Sequence, residues 1–214
     1  MAKVISISGI KGGTGKSTVA INLSGFLADH GYDTLLIDAD PQGSVLRWRA
    51  SIAEGRNLRF EVTSIPIPTL HEEVPNISRK YDFIIIDCPP GNIDIIRSSL
   101  LASHLAIVPV QPSPLDFWTA PEVISLVKEA SKTNKKLKTK LLISRKIIGT
   151  TLATEAPEAL REAGFDIFRS EISQRIDFAK SILEGQTIIE YDPVGRAADE
   201  FKSFAREVLD EFKA

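Results

Sequence analysis

Residues Lys11-Gly12-Gly13-Thr14-Gly15-Lys16-Ser17-Thr18 crowd glycines, lysines and hydroxyls into one short stretch. That mixture suits one chemistry above others, the holding of phosphate. Gly12, Gly13 and Gly15 let the backbone curl so that its N–H groups face phosphate oxygens, and a helix starting here would add its positive end. Lys16 would reach the β- and γ-phosphates, and Ser17 would ligate Mg²⁺, with Thr14 and Thr18 in the same cradle. One residue departs from the common loop pattern: position 10, where that pattern has glycine, is Ile10, and a lysine follows at position 11. Lys11 is either a solvated surface charge or a second phosphate-binding charge, reaching a nucleotide held by a partner subunit.

Three carboxylates are candidates for the same pocket. Asp38 ends an apolar run, and Asp40-Pro41-Gln42 follows it; Asp87 ends another. In open α/β sheets ligands bind beyond the carboxyl ends of strands. A carboxylate there can hold Mg²⁺, directly or through water. If the strand geometry persists, Asp38 and Asp40 face the same side, so one could orient an attacking water while the other supports the metal shell. Each could instead cap the helix or turn that follows.

The elements that must position these residues alternate regularly. Short, β-branched apolar runs at 3–8, 34–38, 60–65, 83–87, 105–110 and 141–144 read as strands. Helical patterns are expected at 16–30, 44–53, 94–102, 121–133, 154–163, 177–184 and 197–212, with Gly31 a natural stop for the first. Near-continuous apolar strands separated by helices predict an α/β fold of the P-loop NTPase type. It is a single domain, with a mostly parallel sheet covered on both faces.

Bulk properties remove other classes. The chain has 214 residues, with 43% hydrophobic and 25% charged, the composition of a soluble globular domain. A net charge of −2 gives no global nucleic-acid signature, so any DNA contact must come from a local patch. Cys88 is the one cysteine, which excludes a disulfide framework and a multi-cysteine metal site. His30, His71 and His104 are scattered, and Trp48 and Trp118 read as core or interface residues. The start of the chain is too short and polar for a signal peptide, and no run approaches the roughly 20 apolar residues of a membrane span. The expected compartment is the cytoplasm.

The phosphate loop, Asp38-Ala39-Asp40-Pro41-Gln42-Gly43 and Ile86-Asp87-Cys88-Pro89-Pro90 together resemble the nucleotide motifs of the ParA/MinD family of deviant-Walker ATPases. The similarity extends over essentially the whole chain, and with no helix-turn-helix before the loop it is nearest the short ParA type. The resemblance implies ATP and Mg²⁺ as cofactors and Lys11 as a signature lysine that contacts nucleotide across an ATP-bound homodimer. It implies that Asp40 positions the hydrolytic water and that Asp87 is the Walker B residue. It further implies weak intrinsic hydrolysis, stimulated by a ParB-like or other adaptor, and a nucleoid-associated protein that moves plasmid, chromosome or other cargo. The loop around Ser144-Arg145 and the segment Tyr191-Asp192-Pro193 would lie near adenine by the same analogy.

Family members hold either nonspecific DNA or membrane. For DNA, the stretch from Lys132 to Lys146 is basic with no acidic residue; Lys135, Lys136, Lys138, Lys140 and Arg145 are candidates, with Arg175 further along. Such a run is also what a solvated loop looks like. Duplicated in a dimer it could give salt-sensitive phosphate contacts. For membrane, Phe201, Phe204, Val208, Leu209 and Phe212 form a helical stripe, but Asp199, Glu200, Glu207, Asp210 and Glu211 would repel anionic lipid. That helix is expected on the protein's own core, and no membrane partner is expected. An ATP-dependent synthetase on the same scaffold is the remaining alternative.

Overall fold

The computed structural model describes residues 1–213, with side chains throughout except at 114–120. Trp118 therefore lies outside the residues whose side chains are described. The strands are β1 (Lys3–Ile7), β2 (Thr34–Asp38), β3 (Glu61–Ser64), β4 (Phe83–Asp87), β5 (Leu105–Val110) and β6 (Lys138–Ile143). They form one sheet in the order β3-β2-β4-β1-β5-β6, and every pairing is parallel. The helices are α1 (Lys16–Asp29), α2 (Ser44–Ala50), α3 (Leu70–Ile77), α4 (Ile93–Ala102), α5 (Pro114–Thr133), α6 (Thr151–Glu162), α7 (Ile176–Leu183), α8 (Ile188–Tyr191) and α9 (Arg196–Asp210).

Side-chain alternation along the strands divides the core in two. Ile5 and Ile7 of β1 join Leu23 and Leu27 of α1 and Phe201 and Phe204 of α9 on one face. Val4 packs with Leu70 of α3, Ile96 of α4 and Val123 of α5 on the other. Both faces are covered, which is why the strands read as unbroken apolar runs. Trp48 is buried and stacks on Phe60, the ring centroids 6.0 Å apart.

α9 docks on the first core through Phe201, Phe204 and Val208, all with no exposed surface. Two of its acids, Glu200 and Glu207, are held by the protein's own backbone. Glu207 accepts from the backbone N–H groups of Arg169 and Ser170, and Glu200 accepts from the backbone and hydroxyl of Ser173. This is the core-docked helix expected from its charge. Among the described residues no helix is long and apolar enough to cross a membrane.

Several boundaries depart from the sequence pattern. α3 escaped notice because it is short and has Pro75 inside it, yet Leu70 and Val74, one turn apart, anchor it. α5 begins at Pro114 rather than at Pro121, which lies within it. β6 begins at Lys138, earlier than its apolar core suggests, because its first residues are lysines and a threonine at the sheet's edge. α8, a four-residue helix, carries no readable period.

Candidate nucleotide site

All the candidate chemistry gathers at the carboxyl ends of the central strands. β1 runs into the glycine loop, β2 into Asp38 and Asp40, β4 into Asp87, and β6 into Ser144 and Arg145. The loop takes its shape from glycines in the left-handed region, Gly13 at φ 77° and Gly15 at φ 92°. A side chain at Gly15 would also meet the Ser144 hydroxyl at 3.1 Å. Lys16 is buried, and its ammonium donates to the Lys11 carbonyl at 2.7 Å. Burial lowers its pKa, opposed by the negative charges of Asp87 and Asp40.

A pocket of about 340 Å³ lies over the loop, lined by Gly12, Gly13, Gly15, Lys16, Ser17 and Thr18, with Asp40 and Arg145 on its rim. A second pocket of about 580 Å³ shares Gly15, Thr18 and Arg145 with it and is walled by Ile172, Ile176, Phe178 and Phe201. Polyphosphate suits the first and a flat heterocycle the second. Ser144 and Arg145 line the second pocket, whereas Tyr191, Asp192 and Pro193 are not among its lining residues. Tyr191 packs against the core instead. Ile172, Ser173, Gln174 and Ile176 carried no signal in the sequence, because they come to line one pocket with Gly15 and Thr18 only after the chain has turned back from β6.

Asp38 and Asp40 do different work. Asp38 is fully buried and accepts from the backbone N–H groups of Asp40, Val45 and Leu46 at 3.0–3.1 Å. Val45 and Leu46 open α2, so Asp38 is that helix's N-terminal acceptor. Burial raises its pKa and these three N–H groups oppose the rise. The strand ends at Asp38, so the alternation that would put Asp40 on the same side no longer applies. Asp40 accepts from the Gln42 N–H and faces the phosphate pocket. Asp38→Ala is expected to lower stability by about 2 kcal/mol in urea unfolding, because it strands the α2 N–H groups. Asp40→Ala should cost well under half of that; equal costs would contradict this division of labour.

Asp87 is the unusual group. It is buried, and neither carboxylate oxygen reaches hydrogen-bond geometry with a donor, although the Ser17 hydroxyl lies near enough to favour the anion. Desolvation, with the charges of Asp38 and Asp40, outweighs Ser17 and Lys16 and pushes its carboxyl up to about 7. A buried, unpartnered carboxylate beside a serine hydroxyl is a donor set that fits one hard cation. Ser17 and Asp87 would hold Mg²⁺, with Asp40 contributing through water, and the ion would neutralise charge on a polyphosphate. The Thr14 hydroxyl is likewise buried without a partner beneath the loop. Among the described residues no cluster of three or more His, Cys, Asp or Glu could hold a metal alone, so oxygen ligands must also come from substrate and water.

The basic candidates divide. Arg145 sits at the phosphate loop, at the opposite end of β6 from the lysines. Lys140 is a correction to the reading of an open basic run: its ammonium lies 2.7 Å from Glu211 and 3.7 Å from Asp166. Lys138 also pairs with Glu211, at 3.5 Å. Arg175 binds Glu200 at 2.6 Å, and that carboxylate holds its pKa above the ordinary value. Glu200 and Glu211 come from α9 and its end, far away in sequence, and Asp166 from the segment after α6. Lys135 and Lys136 remain exposed on the turn into β6.

The CobQ/CobB/MinD/ParA nucleotide-binding domain matches residues 5–188 of this chain. The chain belongs to this family. As a member of it, the chain is 29% identical to maintenance of carboxysome distribution protein A of Halothiobacillus neapolitanus, over 97% of each chain. It is 26% identical to the sporulation initiation inhibitor protein Soj of Bacillus subtilis, over 97% of this chain and 98% of that one. Among solved structures, the septum site-determining protein MinD of Pyrococcus horikoshii, complexed with Mg-ADP, matches with a TM-score of 0.79 at 26% identity, covering 100% of this chain and 99% of MinD. The family's members are nucleotide-binding ATPases, in keeping with the loop, Lys16 and Asp87.

Proposed function

We propose that the chain is a Mg-ATP-dependent switch ATPase of the ParA kind, and the observation that carries this is the phosphate pocket itself. Lys16, Ser17 and Asp40 line it, and the buried, unpartnered Asp87 lies next to Ser17. ATP and Mg²⁺ are its cofactors, the base lying in the 580 Å³ pocket. Asp40, carboxylate toward the pocket, orients the attacking water. Lys16 binds the phosphates by exchanging its bond to the Lys11 carbonyl for phosphate oxygens. Lys11 reaches the nucleotide of a second copy, so ATP favours a homodimer. Intrinsic hydrolysis is slow.

In the ATP state the dimer holds nonspecific DNA, and a ParB-like or other adaptor stimulates hydrolysis and release. The protein thereby positions a plasmid, chromosome or other cargo on the nucleoid, in the cytoplasm. The name of one relative, a maintenance of carboxysome distribution protein, supports a positioning role. Lys135 and Lys136 are the DNA contacts least committed to acids elsewhere in the chain.

DNA retention measured with ADP, ATP and a nonhydrolysable analogue tests this. Wild type should bind DNA with ATP only, and binding should fall steeply with salt. Lys11→Ala and Lys16→Ala should lose ATP-dependent retention, whereas Asp40→Ala should retain DNA but hydrolyse ATP at least about a hundredfold more slowly. Retention indifferent to nucleotide would sink the switch, and normal turnover by Asp40→Ala would sink that residue's role.

A further inference from the structure

Arg145 is the one non-glycine among the described residues with positive φ, at 53°. Arginine rarely adopts that backbone, and a residue held there reflects a demand made by its surroundings. The demand is visible. Arg145 Nη1 donates to the Gly13 carbonyl at 2.6 Å, and Gln111 Nε2, from the end of β5, donates to the same oxygen at 2.9 Å. Two adjacent strands thus each send a side chain onto a single carbonyl of the loop that follows β1.

We infer that Arg145, supported by Gln111, is a positioning residue that locks the Gly13–Thr14 peptide in its phosphate-binding orientation. This inference rests on the nucleotide reading above. No peptide among the described residues is cis, so the Thr14 N–H points opposite to the Gly13 oxygen. Gly13, with φ 77° and no side chain, could let that peptide turn over, which would present a lone pair where a polyphosphate needs a donor. A charge-assisted bond to the oxygen prevents the turn, and it also polarises the peptide so that its N–H becomes a better donor. Arg145 lines both the phosphate pocket and the larger pocket beside it, so the lock stands between the two halves of the nucleotide.

The test uses Arg145→Gly, which adopts the same positive φ without strain and removes the whole side chain with its guanidinium, together with Gln111→Ala. Binding of Mg-ATP and of Mg-tripolyphosphate, which has no base, is measured by calorimetry on each full chain. A lock on the loop predicts that R145G weakens both ligands equally, by about tenfold or more, and that Q111A weakens both by less. Arg145→Lys should recover part of the loss. Loss confined to ATP would overturn the inference in favour of a wall of the base pocket. Unchanged binding of both ligands to R145G would also overturn it. Wild type that binds neither ligand would overturn the nucleotide reading and this inference with it.

Discussion

Asp87→Asn is expected to make the ligand-free chain more stable above neutral pH while removing Mg-dependent ATP hydrolysis. The carboxyl is pushed up to about 7 from an ordinary 3.8, chiefly by burial. Between those values the folded chain keeps a proton that the unfolded chain has released. Stability without ligand therefore falls as pH rises from about 4 to about 7 and stays low above that, by on the order of 4 kcal/mol. Asparagine removes the titration and leaves at most an unsatisfied amide, which costs about 1–3 kcal/mol. Urea unfolding in chelator at pH 5 and pH 8 checks this: wild type should lose stability between the two, and the variant should stay nearly flat. Mg-ATP should also flatten the wild-type profile, because the cation supplies the partner the carboxylate lacks. Equal slopes for both proteins in chelator would contradict the assignment. Full ATPase activity in the variant would remove Asp87 from the metal site.

The second large effect is expected at the seam between α1 and α8. Gly25 lies inside α1, and a Cβ there would come within 2.5 Å of Thr187 Cγ2. Thr187 cannot turn aside cheaply, because its hydroxyl and the Glu190 carboxylate cap α8 reciprocally. Asn22, one turn before Gly25, accepts from the Ile188 N–H and fixes the same seam. Gly25→Val should therefore cost about 3 kcal/mol. Gly25→Ala gains up to about 1 kcal/mol of helix propensity but should still lose stability overall. Adding Thr187→Ser, which keeps the cap and deletes Cγ2, should make the alanine variant neutral or better. No rescue would mean that the crowding lies elsewhere. Because α1 opens with Lys16 and Ser17, G25V should also weaken nucleotide binding.

What was legible in the sequence was whatever depends on neighbours along the chain. The loop, its helix and the aspartates at the ends of β2 and β4 are contiguous patterns, and the family resemblance rests on them. The roles that stayed open there turn on distant partners. Asp38 could not be told from Asp40 until the start of α2 placed the Val45 and Leu46 N–H groups over it. The basic stretch before Arg145 looked free because Glu211 and Asp166, which pair with its lysines, follow it much later in the chain. Gln111 carries no motif at all. Its role exists only because β5 lies beside β1 and delivers it to Gly13.

The place of β1 in the sheet also bears on how the protein is made. The strand that leads into the phosphate loop is flanked by β4 and β5, whose residues begin at Phe83 and Leu105. A nascent chain thus exposes Val4, Ile5 and Ile7 until β4 has been made and can pair with them. Nucleotide cannot guide those early stages, since Asp87, Gln111 and Arg145 have yet to emerge. Ligand stabilises the finished domain, and until then β1 depends on whatever shields it at the ribosome.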